Sequence, residues 1–209
     1  MYTHGVSYCC AWFEIEEGRV YSLLARITKW WLVPLAAFAY FLLQSIRGQA
    51  SGYIRPPGAA EEDLFLSLCL RCGQCAQACP YHSIQILGPE AGASSGTPAM
   101  SDLRNYPCQL CTEYCTLVCP NKALEYVEGS EVRAGLARID MEKCRSWQED
   151  ECRVCYMACP IYKEALILKD FKKTFVISDK CTGCGICEHV CILDRPAITV
   201  VPRGEGVRS

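Results

Sequence analysis

Sixteen of the eighteen cysteines in this chain fall into four compact groups. They are Cys69, Cys72, Cys75 and Cys79; Cys108, Cys111, Cys115 and Cys119; Cys144, Cys152, Cys155 and Cys159; and Cys181, Cys184, Cys187 and Cys191. The first group reads C-x2-C-x2-C-x3-C-P, ending at Pro80. At this spacing three thiolates reach one centre from a single wrap of backbone, and a fourth lies one turn further on. That is the donor set of an iron–sulfur cube, and its chemistry is the transfer of single electrons. The second and third groups also end in proline, at Pro120 and Pro160, whereas Ile192 follows the fourth.

Two other uses of cysteine fit the spacing less well. A disulfide framework needs Cα atoms within about 7 Å in separate pairs, and a thiol at every third residue points its sulfurs at a common centre instead. Zinc also accepts C-x2-C, but its sites usually join two such pairs across a longer spacer. Groups two and three depart from the simple run. Three residues separate Cys111 from Cys115, and the seven residues 145–151 separate Cys144 from Cys152. Loops of different length are tolerated because only their ends must converge.

These ligands need a scaffold, and the sequence supplies one by repetition. The fourth cysteines recur at 79, 119, 159 and 191, and each group is followed by a short apolar tail. The tails at 83–87, 123–127, 165–168 and 197–201 alternate or are β-branched and are expected to form strands. Residues 88–101 read as a surface connector, and 128–131 as the turn of a hairpin between Tyr126 and Ile139. The expected fold class is α+β: two tandem ferredoxin-like modules, each with two clusters, over residues 64–202, with a tail at 203–209. A core organised by inorganic cubes predicts that folding and metal binding are coupled.

Upstream, residues 30–46 carry no charged side chain and are flanked by Lys29 and Arg47. As a helix they span about 25 Å, slightly less than a ~30 Å hydrocarbon core. Residues 29–47 are therefore expected to form a transmembrane or signal-anchor helix in the lipid bilayer. A buried apolar helix and an export signal are the other readings. Residues 1–28 precede it, with a candidate amphipathic helix at 20–29, and 48–63 read as a linker. The balance of Arg19, Arg26 and Lys29 against Arg47 and Arg55 weakly places the cluster domain on the periplasmic side. A net charge of −2 gives no electrostatic reason to expect nucleic acid. Cys9 and Cys10 lie outside the pattern and read as unligated thiols. His82 and His189 lie close to cysteine groups, but ordinary surface roles suit them better. No sequence motif identifies a catalytic residue.

The stretch from Gly52 to Pro202 resembles the NapG/MauM ferredoxin-type proteins of periplasmic nitrate reduction and methylamine oxidation. The resemblance rests on Arg55-Pro56-Pro57-Gly58-Ala59, on Cys69-Leu70-Arg71-Cys72-Gly73-Gln74-Cys75 through Cys79-Pro80-Tyr81, on Cys152-Arg153-Val154-Cys155-Tyr156 through Cys159-Pro160, and on Cys181-Thr182-Gly183-Cys184-Gly185 through Cys191. It implies four [4Fe–4S] clusters in an electron-transfer subunit of a membrane-bound respiratory complex. The subunit would stand between a quinol-oxidising or quinone-reducing membrane partner and a redox enzyme or cytochrome. An assembly or maturation factor is the alternative. Analogy with related four-cluster subunits implies that groups one and four exchange their last cysteines, as do groups two and three. The expected ligand sets are then Cys69, Cys72, Cys75 with Cys191; Cys181, Cys184, Cys187 with Cys79; Cys108, Cys111, Cys115 with Cys159; and Cys144, Cys152, Cys155 with Cys119. Family members commonly carry a twin-arginine signal, which is missing before the apolar segment of this chain.

Overall fold

The computed structural model describes residues 52–148 and 150–203. The expected anchor, the amphipathic segment, Cys9 and Cys10 lie outside the described residues. Among the described residues no helix is long and apolar enough to cross a membrane.

The elements are short, because the chain must turn wherever a cysteine faces a shared centre. Helix α1 is Glu62–Leu68, with Glu62 and Asp63 in its first turn, where carboxylates favour the positive end of the helix. Its Phe65 side chain is fully buried. Helix α2 is Gln74–Ala78 and α3 is Glu113–Leu117, and the two pack together. Helix α4 is Val154–Ala158 and α5 is Ile186–His189, and these form a second packed pair. None has the length at which a helix holds itself in water.

Three two-stranded antiparallel ribbons complete the fold. Strand β1 (Gln85–Ile86) pairs with β2 (Pro98–Ala99). Strand β3 (Gly135–Ile139) pairs with β6 (Ile198–Pro202), placing Leu136 opposite Val201 and Ile139 opposite Ile198. Strand β4 (Leu166–Lys169) pairs with β5 (Lys173–Val176) in a hairpin whose tip holds Asp170 and Phe171 at positive φ. Residues 52–132, which carry cysteine groups one and two, are called the first module and residues 133–203, which carry groups three and four, the second; both lie within one compact unit. Phe65, Ile84, Met100, Leu103 and Leu124 form one core, and Leu136, Ala165, Leu166 and Ile198 another, each completed by cysteines.

Several expectations are corrected. The tail at 123–127 is not a strand; it makes a single bridge from Leu124 to Ala59. No hairpin joins Tyr126 to Ile139, because β3 takes β6 as its partner and 129–131 is a short 3-10 turn. The connector 88–101 contains a 3-10 helix at Pro89–Ser94 and all of β2. The supposed linker is packed rather than loose from Gly52 onward: Arg55, Pro56 and Pro57 are buried. The Arg55 guanidinium donates to the Glu62 carboxylate, to Thr97 Oγ1 at 2.8 Å, to Ser94 Oγ at 3.2 Å and to the Pro98 carbonyl at 2.8 Å. It also lies over the Phe65 ring, 4.7 Å from the centroid. A buried cation satisfied this fully fixes its surroundings, which explains why the Arg-Pro-Pro-Gly stretch is part of the cluster domain.

Candidate metal centres

The sixteen cysteines line four cavities, four to each. Cys69, Cys72 and Cys75 meet Cys119 (site I); Cys108, Cys111 and Cys115 meet Cys79 (site II). Cys181, Cys184 and Cys187 meet Cys159 (site III); Cys144, Cys152 and Cys155 meet Cys191 (site IV). Each quartet lines a cavity of its own. No cysteine among the described residues is in a disulfide. No three Cys, His, Asp or Glu side chains among the described residues close on a point as a single ion demands. The quartets instead stand around cavities that suit a polynuclear cluster better than zinc. A larger open groove bordered by Tyr53, Arg133 and Arg203 presents no thiol.

These groupings correct the expected ones. Group one exchanges its last cysteine with group two, not four, and group three exchanges with group four, not two. The reason is local. Cys79 follows the end of α2 and Cys119 lies just beyond α3, and because these helices pack together each last cysteine is delivered to its neighbour's triplet. Helices α4 and α5 do the same for Cys159 and Cys191.

The loops between cysteines are built to aim backbone N–H groups inward. Arg71 (φ 54°) and Gly73 (φ 74°) take left-handed conformations at alternate positions in group one. Leu110 (φ 57°) and Thr112 (φ 33°) do so in group two, and Gly183 (φ 75°) and Gly185 (φ 84°) in group four. Alternation of this kind turns successive N–H groups toward one side, the concavity that holds anionic cluster sulfur in many proteins. Group three lacks it: Arg153, at the matching place, has φ −127°. There the insertion shapes the wall. Trp147 Nε1 donates to the Thr174 carbonyl at 3.0 Å, and its ring packs edge-on against Phe175, 4.7 Å between centroids. Sequence reasoning missed β5 because Lys173–Val176 is only four residues long and opens on the charged Lys172-Lys173 pair, although its partner β4 directly precedes it in the hairpin.

Gly183 shows how tight the fit is. A Cβ at this residue would lie 2.3 Å from the Gly135 backbone nitrogen, at the start of β3. Gly183→Ala is expected to destabilise the protein by about 2–5 kcal/mol, from left-handed backbone strain plus overpacking. Anaerobic thermal denaturation checks this, and an unchanged midpoint would contradict the close approach.

After the last cysteine of each of the first three groups, the N–H three residues on bonds back to the cysteine carbonyl. His82, Lys122 and Tyr162 donate to Cys79, Cys119 and Cys159 at 3.3, 3.4 and 3.1 Å. Proline at the second position presets the φ of this turn. Group four has no such proline, and its carbonyls are held from the other module. Arg104 Nη1 donates to the Glu188, His189 and Cys191 carbonyls at 2.6, 3.0 and 2.8 Å, and Nη2 donates to that of Leu193 at 3.1 Å. The sequence gives no local sign of this role, since Arg104 lies far along the chain. His189 is exposed and its Nδ1 lies 2.7 Å from the Arg104 carbonyl; His82 is exposed at a left-handed turn.

Burial makes the free thiols reluctant to ionise. It pushes Cys75 up to about 11 and Cys108 and Cys115 up to about 12, from an ordinary 9.0; neighbouring thiolates add to the rise. Cys155 rises to about 11 for the same reasons, and Cys187 is raised well above 9.0. Only a strongly cationic core can hold four thiolates together in such a place.

The sites follow one another. Cys75 of site I lies near Cys115 of site II, and Cys155 of site IV near Cys187 of site III. Sites II and III meet at the module boundary, where the Cys108 N–H donates to the Cys184 carbonyl at 2.8 Å and Cys184 packs into the first module's core.

Residues 64–85 match the family model for a 4Fe-4S binding domain. Over 175 residues the chain is 43% identical to ferredoxin-type protein NapG of Escherichia coli, covering 77% of this chain and 75% of that one. It is 36% identical over 187 residues to the methylamine utilization ferredoxin-type protein MauM of Methylorubrum extorquens, covering 84% of each. It is 37% identical over 165 residues to the MauM protein of Paracoccus denitrificans, covering 74% of this chain and 73% of that one. A [4Fe–4S]-binding run, sulfur-lined cavities and kinship over most of its length agree, and the chain belongs to the NapG/MauM family of ferredoxin-type proteins.

Proposed function

We propose that the chain is the electron-transfer subunit of a membrane-bound respiratory complex, with all sixteen cysteines holding four [4Fe–4S] clusters in a row. It would stand between a membrane subunit that oxidises quinol or reduces quinone and a redox enzyme or cytochrome. The N-terminal apolar segment would anchor it in the bilayer, with the cluster domain on the periplasmic side. The observation that carries this reading is the continuous succession of four sulfur quartets, linked within each module by exchanged cysteines and between modules by the Cys108–Cys184 backbone contact.

Reversible one-electron transfer is the chemistry that a bound [4Fe–4S] group supplies. The chain's own residues do the rest. Cysteines fix each site, left-handed loops aim N–H groups at sites I, II and III, and exchange across α2–α3 and α4–α5 keeps neighbouring sites close. Kinship with NapG and MauM supports the respiratory setting. The test is iron and sulfide analysis with EPR-monitored reduction of anaerobically purified protein. Sixteen irons per chain and four reducible clusters are expected. Far fewer irons, or clusters that never change redox state, would leave an assembly factor as the better reading.

A further inference from the structure

We propose that the second module is the electron-accepting half of the relay: sites III and IV hold their clusters at more positive potentials than sites I and II, so electrons enter beside Cys69 and leave beside Cys144. This rests on the four-cluster reading above. Cluster potential depends on solvent exposure, on hydrogen bonds to sulfur and on nearby charge.

Exposure does not separate the modules. In the inner sites II and III three of the four cysteines are buried, apart from Cys111, which is half-buried in site II, and Cys159 in site III. In outer site IV all four are half-buried; in outer site I Cys69 and Cys119 are half-buried, Cys75 is buried and Cys72 is exposed. Backbone donors do not separate them either. Leu110 N–H reaches Cys108 Sγ at 3.4 Å in one module, and Ala137 N–H reaches Cys181 Sγ at 3.5 Å in the other.

Side chains do separate them. In site IV, Ser146 Oγ lies 3.2 Å from Cys144 Sγ, and Ser146 is buried. Its oxygen accepts the Thr174 N–H at 3.4 Å, which leaves the hydroxyl proton for the sulfur. A metal-bound thiolate has no proton to give, so the serine must be the donor. In site III the buried Thr182 lines the cavity together with Cys181, Cys184 and Cys187, which sets its hydroxyl among the ligand sulfurs. Two cations lie against ligand backbones in the same module: Arg203 donates to the Cys181 carbonyl and Arg104 to that of Cys191. Acidic neighbours temper both, Asp179 near Arg203 and Glu188 near Arg104. The ion pair of Arg145 with Asp150 beside Cys152 is exposed and counts for little. In the first module, among the described residues, no side-chain donor reaches a cysteine sulfur. Arg71 spends its guanidinium on the Ser95 and Ala93 carbonyls. The exposed Glu113, two residues from Cys111 in the first turn of α3, adds a negative charge on the side of site II. Donors and positive charge favour the reduced, more negative state of a cluster, whereas a carboxylate opposes it.

EPR-monitored potentiometric titration of the anaerobic holoprotein tests the proposal. Ser146→Ala and Thr182→Val are each expected to shift one midpoint to more negative values, and the two affected should be the two most positive of the four. Thr182→Ser, which keeps the hydroxyl, should restore its midpoint. Glu113→Gln, at an exposed position, should move one of the two lower midpoints upward. Four titrating clusters with midpoints unmoved by the first two substitutions, or with the two lowest moved, would overturn the polarity while leaving the relay intact. A shortage of iron in the unmutated protein would defeat the relay itself.

Discussion

Cys191→Ser is expected to disturb the same EPR signal as Cys152→Ser and to leave untouched the signal that responds to Cys72→Ser. Each substitution removes or distorts about one quarter of the bound iron if one ligand of one cube is lost. The structure places Cys191 with Cys144, Cys152 and Cys155, whereas analogy with other four-cluster subunits would place it with Cys69, Cys72 and Cys75. The companion substitution is Cys119→Ser, which should behave like Cys72→Ser. If Cys191→Ser and Cys72→Ser act on one signal, exchange between neighbouring groups is wrong. The effect should be large because a lost thiolate leaves an iron open to solvent, and because each exchanged cysteine also ties two helices together.

Iron removal is the second large effect. Anaerobic chelation should abolish most far-UV circular dichroism arising from residues 52–203. The described strands and α-helices run from two to seven residues, and such pieces do not persist without a common core. The cores depend on cysteines that only metal can hold as thiolates. Native dichroism after complete iron loss would contradict the coupling. The pH dependence should reverse between the two forms. Without metal, folding raises the buried thiols from 9.0 to about 11 or about 12. Any stability of that state is then fully present below pH 9.0 and is lost as pH climbs toward 11–12. With metal bound, protons compete with iron for thiolate, so stability falls on acidification instead. Urea denaturation of the metal-loaded form, and the residual dichroism of the chelated form, followed across pH, read the two signs.

The chemistry was legible from spacing alone, because a cysteine at every third residue leaves few other uses for its sulfur. The α+β character and three of the four strand tails followed from alternation and β-branching. The exchange pattern was not legible. Spacing gives which thiols share a triplet, but the source of the fourth depends on which helices pack, and α2, α3, α4 and α5 are too short to advertise a packing face. The fate of 123–127 was missed for a related reason: its alternation is strand-like, yet the edge it needs is taken by Ala59 alone. β3 was expected to fold back locally and instead crosses to β6, near the end of the chain. Arg55 and Arg104 were hidden because both act over distance, on Thr97 and Ser94 in one case and on residues 188–193 in the other.

The backbone bond between Cys108 and Cys184 has a bearing on ancestry and engineering. Two ferredoxins fused end to end would keep their seam polar and separable, but here one half's sulfur-bearing loop is seated among the apolar side chains of the other. Leu103 fills the space that any Cβ on Gly185 would need, 2.5 Å away. Severed halves would therefore each present a raw apolar wound, and over residues 52–203 the repeats visible in the sequence have become one indivisible unit.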